Sequence, residues 1–274
     1  MIKTIPVINN KGGVGKTTTT VNLAAGLGRS GRQVLVVDLD SQGSASFALG
    51  IDRESLKPST ASVLFGEKAP SDVIRSTPTK NVDVLSGSMR LADADTKLSG
   101  TEGREHRLAE TLSSVEETYD TIFIDCAPST SLLTINALVM ADAFIIPVSP
   151  SYLSLEGVVS LGEVVKNVRQ GMGEAAPVLG VLLTMVQRED RQTSAIIEEV
   201  RNHYGGKVFD TEIRSDPALE EAPTQGTSIF DYAPGSQGAE EYGALVEEVV
   251  DRLDRYGSVY ESVNGTKERR QQTS

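Results

Sequence analysis

Ile2 to Ile8 (IKTIPVI) is a short apolar, β-branched run that leads into a glycine-rich turn, the pattern of a strand entering a loop. Past the loop, Thr17 to Arg29 places Val21, Ala24, Ala25 and Leu27 at helical spacing, and Gly31 follows as a stop signal. Val34 to Val37 (VLVV) reads as a second buried strand that ends at Asp38. Val82–Leu85, Thr121–Ile124, Phe144–Val148, Val178–Leu183 and Val208–Ile213 read as further strands. Amphipathic stretches lie between most of them, such as His106–Glu117, Leu155–Arg169 and Thr193–Tyr204. Gly238–Tyr256 predicts a last helix with Tyr242, Leu245, Val246, Val249, Val250 and Leu253 on one side. Continuous apolar strands alternating with helices predict an α/β fold with a doubly wound, mostly parallel sheet flanked by helices. Ligands of such sheets sit at the carboxyl ends of the strands. Gly50–Asn81 has no clear period and predicts loops with short helices. The pattern fails from Gly257 onward, so residues 1–256 are expected to form a single domain and 257–274 a polar, disordered C-terminal tail.

Composition adds exclusions. Hydrophobic residues are 39% and charged residues 23% of the 274 positions, enough to bury a sizeable core, and nothing marks a linker between halves. No apolar run approaches the roughly 20 residues that span a bilayer. The N-terminal MIKTIPVINNKGG lacks the features of a signal peptide, which disfavours secretion. Cys126 is the single cysteine; it cannot form an internal disulfide, or build a zinc or iron-sulfur site unaided. A reducing cytoplasm fits this usage, with Cys126 as a small buried residue. The formal net charge of -12 argues against nucleic-acid affinity spread over the whole surface, so any DNA contact must use a local basic patch.

The chemistry concentrates in the loop after the first strand, KGGVGKTT from Lys11 to Thr18. Strand, glycine-rich loop and helix is the order of a phosphate-binding P-loop. The strict pattern wants glycine where Asn10 stands, so the loop is a variant. Gly12, Gly13 and Gly15 let backbone N–H groups turn inward, and the helix beginning near Lys16 adds its positive end. Lys16 would reach the β and γ phosphates, and the Thr17 hydroxyl would ligate Mg2+. Asp38 and Asp40 follow VLVV, and Asp125 closes the strand in IFIDCAPS, at the Walker B position. Acidic residues at these strand ends can hold Mg2+ through water or orient an attacking water. One of the first pair could instead only cap the next turn. Lys11 is not needed for the phosphates of one nucleotide and could be a solvated loop lysine.

KGGVGKTT resembles the deviant Walker A motif of the ParA/MinD family, in which the first lysine reaches the nucleotide of the partner subunit. VVDLDSQGSAS resembles the family's DLDPQGN segment, with Ser41 in place of proline. Tyr119 to Val148 is similar to ParA, as are Leu155-Glu156-Gly157, LLTM at Leu182–Met185 and Glu221-Ala222-Pro223. The resemblance covers most of residues 2–256 and is strongest in the N-terminal half. It implies an ATPase using ATP and Mg2+. Nucleotide contacts would come from Lys11, Gly12, Gly13, Val14, Gly15, Lys16, Thr17, Thr18 and Met185, and the metal shell from Thr17, Asp38 and Asp125. Asp40 would activate water, and Lys11 would act across a dimer interface as an arginine finger does.

By the same resemblance, the partners would be a second copy of the chain in an ATP-dependent homodimer, non-specific DNA and a ParB-like activating protein. The result would be a cytoplasmic, nucleoid-associated protein that segregates a chromosome or plasmid. Candidate DNA contacts on one face are Arg188, Arg191, Arg201, Lys207, Arg214, Arg252 and Arg255. The family's IPRNVRLSEAP reads IRSDPALEEAP here, so Ala218 stands where a DNA-contacting arginine is expected. Alternatives are positioning of a protein cargo on the nucleoid, or MinD-like membrane cycling. The second needs a basic amphipathic C-terminus, and only Val259, Tyr260 and Val263 could anchor one, so no membrane is expected. One cysteine excludes the iron-sulfur relatives, and no helix-turn-helix precedes the loop.

Overall fold

The computed structural model describes residues 4–172, 176–188 and 191–271, with side chains over 4–151, 161–171, 176–188 and 193–255. Along the chain, β1 (Thr4–Val7) leads to α1 (Lys16–Arg29), β2 (Val34–Asp38), α2 (Ser44–Ala48), α3 (Thr60–Leu64), β3 (Arg75–Ser76) and β4 (Val82–Leu85). Next come α4 (Ala94–Leu98), α5 (Arg107–Leu112), β5 (Thr121–Asp125), α6 (Leu132–Met140), β6 (Phe144–Val148) and α7 (Tyr152–Met172). The chain continues through β7 (Val178–Val186), α8 (Arg191–Tyr204), β8 (Val208–Arg214), α9 (Pro217–Glu221), α10 (Ile229–Tyr232) and α11 (Gln237–Gln271).

The strands form one sheet in the order β3-β4-β2-β5-β1-β6-β7-β8, parallel except for β3. β1 lies in the middle. It pairs along its length with β5 but with β6 only at Val7, which suits Pro6, a residue with no N–H to give. Alternate strand residues feed two cores. Leu35, Val37, Ile122 and Ile124 pack under α3 to α8. Ile5, Val7, Val34, Val36 and Phe123 pack under α1, α2 and α9 to α11. Helices on both faces are the doubly wound arrangement that the apolar strands predict.

The differences from the sequence pattern have physical reasons. The segment without a period, Gly50–Asn81, contains α3 and the two-residue β3, whose antiparallel pairing shields the edge of β4. α6 (LLTINALVM) escapes a periodicity test because it is apolar almost all round, and it is buried between the sheet and its neighbours. α11 does not stop at Tyr256 but runs to Gln271; the side chains past Arg255, where the tail and its membrane anchors were placed, lie outside the described residues.

The other edge, β8, is closed by α11. Glu248 accepts the N–H groups of Asp210 (2.9 Å) and Thr211 (3.0 Å), and Glu241 accepts that of Arg214 (2.8 Å). Backbone donors that would template a further strand are thereby occupied. Burial pushes the Glu248 carboxyl up, but the two N–H groups and Arg252 outweigh it and leave it below the usual carboxylate range. A lowered folded-state value stabilises above the ordinary range and is lost as the pH falls through it. Glu248→Ala should cost about 2 kcal/mol at neutral pH, because two N–H groups lose their acceptor and the Arg252 guanidinium loses its carboxylate. It should also promote self-association. Urea unfolding and light scattering measure both, and a loss below about 0.5 kcal/mol would refute the role.

Candidate active site

The loop Ile8–Gly15 leaves the carboxyl end of the central strand and is pinned by three hydrogen bonds, one of them within the loop. Buried Asn9 donates to the Pro147 carbonyl of β6 at 2.7 Å and accepts the Lys11 N–H at 2.9 Å. Thr184 of β7 donates to the Val14 carbonyl at 3.0 Å. Gly15, at φ 79° and ψ 23°, makes the left-handed turn that starts α1, a conformation costly for residues with a Cβ. The side chain of Val14 is buried, so only its backbone can serve a ligand, whereas Gly12 and Gly13 are exposed. Lys16 is 7% exposed and its ammonium reaches back over the loop to the Lys11 carbonyl at 2.8 Å. Burial lowers its pKa from the ordinary lysine value, opposed chiefly by the charge of Asp125.

Asp125 ends β5 directly opposite Asp38 at the end of β2. Its carboxylate accepts the hydroxyls of Thr17 (2.7 Å) and Thr20 (3.2 Å). Burial, and next the charge of Asp38, push it well above the usual carboxylate range. Both oxygens of Asp38 are taken by protein donors: Asp40 N–H at 3.0 Å on one, Ser46 N–H at 2.9 Å and Ser46 Oγ at 2.7 Å on the other. Asp38 is fully buried and holds the following turn, which departs from the metal-shell role suggested by its place at a strand end. Asp40, half-buried, accepts the Gln42 N–H at 2.9 Å on its Oδ1. Burial also pushes the Cys126 thiol up, as expected of an inert side chain.

Lys11 donates to Ser151 Oγ at 3.0 Å, at the head of α7. Met185 has a positive φ of 53° and borders a cavity of about 60 Å³ with Gly15, Thr18, Thr184, Ser215 and Asp216.

The basic candidates do not form one face. Arg188 and Arg201 both pair with Glu212, at 2.7 and 2.8 Å, and Arg214 pairs with Glu241. Arg252 is a correction. Its side chain, 12% exposed, donates to the carbonyls of Leu179, Lys207 and Val208, pairs with Glu248 and lies 4.1 Å from the Phe209 ring, so it braces the fold from inside. Arg201, Lys207, Arg252 and Arg255 border one cleft together with Asp210, Glu247, Glu248 and Asp251, a balanced set rather than a basic patch. The side chain of Arg191 lies outside the described residues. Thr20, Thr184, Ser46 and Asn9 were missed at the sequence level; only Thr20, one turn beyond Thr17, carries a local signal.

A nest of backbone donors, a lysine and a hydroxyl beside a strand-end carboxylate are the parts of a P-loop nucleoside triphosphatase. The residues fit Mg-ATP. Thr17 and Asp125 offer hard oxygen ligands, and among the described residues no cluster of three His, Cys, Asp or Glu side chains could hold a metal unaided. That matches Mg2+, which binds through one or two protein oxygens plus substrate phosphates. The AAA domain family matches residues 2–176. Over 249 residues the chain is 42% identical to the sporulation initiation inhibitor protein Soj of Bacillus subtilis, covering 91% of this chain and 98% of that one. It is 37% identical to the chromosome-partitioning ATPase Soj of Treponema pallidum, covering 92% and 98%. The crystal structure of cobyrinic acid a,c-diamide synthase from Mycobacterium smegmatis with bound ADP and magnesium is similar at TM-score 0.81 and 30% identity, covering 93% and 96%. The chain belongs to the ParA/MinD family of P-loop ATPases, whose cofactors are ATP and Mg2+.

Among the described residues, no helix is long and apolar enough to cross a membrane. The Thr184 brace yields a test: Thr184→Val keeps the shape but leaves the Val14 carbonyl without its donor, so ATP should bind about fivefold more weakly, roughly 1 kcal/mol. Titration with a fluorescent ATP analogue reads this, and unchanged affinity would remove Thr184 from the site.

Proposed function

We propose that the chain is a partition ATPase that closes into a dimer on ATP, holds DNA without sequence preference in that state, and releases it when a ParB-like protein stimulates hydrolysis. The observation that carries this reading is the division of the two loop lysines. Lys16 bends over its own loop, whereas the Lys11 ammonium donates to the Ser151 hydroxyl at the head of α7. A phosphate of a facing subunit offers an ammonium a charge-assisted hydrogen bond, stronger than one to a hydroxyl. Lys11 can therefore exchange Ser151 for a partner's nucleotide as two subunits meet. The names of the Soj relatives support a role in chromosome partition.

Within each subunit the backbone of Gly12 to Gly15 and the Lys16 ammonium hold the phosphates, and Thr17 with Asp125 holds the metal. Bound Mg2+ would neutralise charge that develops on the phosphate oxygens. The Asp40 carboxylate, beside the loop and partly exposed, orients the attacking water. Met185, which borders the same small cavity as Gly15 and Thr18, would contact the nucleotide. For DNA, Arg188 and Arg214 suit best. Arg188 is 69% exposed, and Glu212 keeps Arg201 if Arg188 turns to a phosphate. A few such contacts per subunit, doubled by dimerisation, give a useful salt-dependent affinity.

The test is ATP turnover with and without DNA and a ParB-like protein, against a Lys16→Ala control; turnover no higher than the control under every condition would end the proposal. Asp40→Ala should hydrolyse at least about 100-fold more slowly yet accumulate a DNA-bound ATP dimer, read by light scattering and mobility shift. Normal turnover in that variant would remove Asp40 from its role. Lys11→Ala should bind ATP normally and fail to dimerise; loss of all nucleotide binding would instead make Lys11 part of the cradle.

A further inference from the structure

The turn that carries Asp40 is fixed from below by a buried polar clamp that no other part of the site explains. Asp38 accepts the Asp40 N–H on one oxygen and the Ser46 N–H and hydroxyl on the other. The same Ser46 hydroxyl accepts the Gly87 N–H at 3.0 Å, so a single side chain of α2 joins β2 to the loop after β4. Ser46 and Asp38 are both fully buried. Gly87 must be glycine. A Cβ there would lie inside van der Waals contact with the Asp40 carbonyl oxygen and 2.7 Å from Asp38 Cγ. The Gly87 loop is itself stitched to α3. Thr60 donates its N–H to the Ser86 carbonyl at 2.8 Å and its hydroxyl to the Leu85 and Ser86 carbonyls at 3.0 Å, and the Ser59 and Ser88 hydroxyls meet at 2.7 Å.

We propose that Ser46, acting through Asp38 and Gly87, is a positioning residue that locks the backbone of Asp40 and so fixes the aim of its carboxylate. The inference rests on the reading of Asp40 as the water-orienting group. Ser46 serves because one hydroxyl both donates, to Asp38, and accepts, from Gly87; alanine offers neither and threonine offers both. In the alanine variant the Gly87 N–H would lose its acceptor and Asp38 one of its three donors, and the turn would be free to shift. A misplacement on the order of 1 Å at a reacting group can cost about 100-fold in rate. The nucleotide cradle lies on the loop after β1 and does not share this clamp, so binding and turnover should part company.

The experiment compares Ser46→Ala, Ser46→Thr and Gly87→Ala with the unaltered full chain and with Asp40→Ala. Three quantities are read: kcat for ATP, Kd for ATP, and amide hydrogen exchange over residues 38–46. Ser46→Ala should lower kcat about 10- to 100-fold, leave Kd within about threefold, and speed exchange in that segment. Ser46→Thr should restore kcat and protection. Gly87→Ala, whose Cβ would press on the Asp40 carbonyl and on Asp38, should reproduce the kcat loss even if the Ser46→Ala chain folds poorly. Wild-type kcat in both Ser46→Ala and Gly87→Ala, or a Ser46→Thr variant as slow as Ser46→Ala, would overturn the proposal. Normal turnover in Asp40→Ala would defeat the assignment of Asp40 separately, and the exchange data alone would then decide whether the clamp exists.

Discussion

Asp38 and Asp125 stand opposite each other in register at the ends of β2 and β5, and both are buried. Two carboxylates in a low-dielectric interior are costly unless their lone pairs are met and their charge is countered. Much of the surrounding sequence does one or the other. Thr17 and Thr20, one turn apart on α1, give their hydroxyls to Asp125. Ser46 and the Asp40 amide do the same for Asp38. Lys16 supplies the counter-charge and is itself kept from full solvation by burial. The negative charge gathered at these strand ends is what a divalent cation would relieve, and Thr17 and Asp125 stand together there to offer it oxygen ligands.

The position of β1 at the middle of the sheet makes this possible. A loop leaving a central strand can be reached from either side, and this one is: β5 contributes Asp125, β6 the Pro147 carbonyl and β7 Thr184. The edges are treated in the opposite way. β8 is sealed by the carboxylates of Glu241 and Glu248, and β4 by the short β3. Burial of both sheet faces thus serves rigidity around the phosphates, while the edge devices discourage association through strands.

The strands and the loop were legible because both are local. VLVV and IFID are runs whose burial is written in consecutive residues, and KGGVGKTT carries its turn, helix start and charge in eight positions. Thr184, Ser46 and Gly87 were not legible. Each acts on a residue far away in sequence, and the fold must be known before Gly87 is seen to touch Asp40. α6 was hidden by being apolar on every side, and β3 by its length. Arg252 looked like a surface cation because sequence gives charge but not burial; the three carbonyls it fills come from β7, β8 and the turn before β8.

The arginines also bear on how an acidic chain could hold DNA as proposed. With 38 acidic against 26 basic side chains, affinity depends on which pairs can exchange rather than on how many arginines exist. An exposed pair is worth little and opens cheaply; a buried one leaves an unpaired charge behind. Arg252 falls in the second class. Arg188 falls in the first, since Glu212 has a second arginine to keep it neutral. Arg188 and Arg214 lie past or at the carboxyl ends of β7 and β8, the same end of the sheet as the phosphate loop. The exchangeable Arg188 therefore lies at the phosphate-loop end of the sheet, whereas Arg201, Lys207, Arg252 and Arg255 border a cleft shared with four carboxylates, Asp210, Glu247, Glu248 and Asp251.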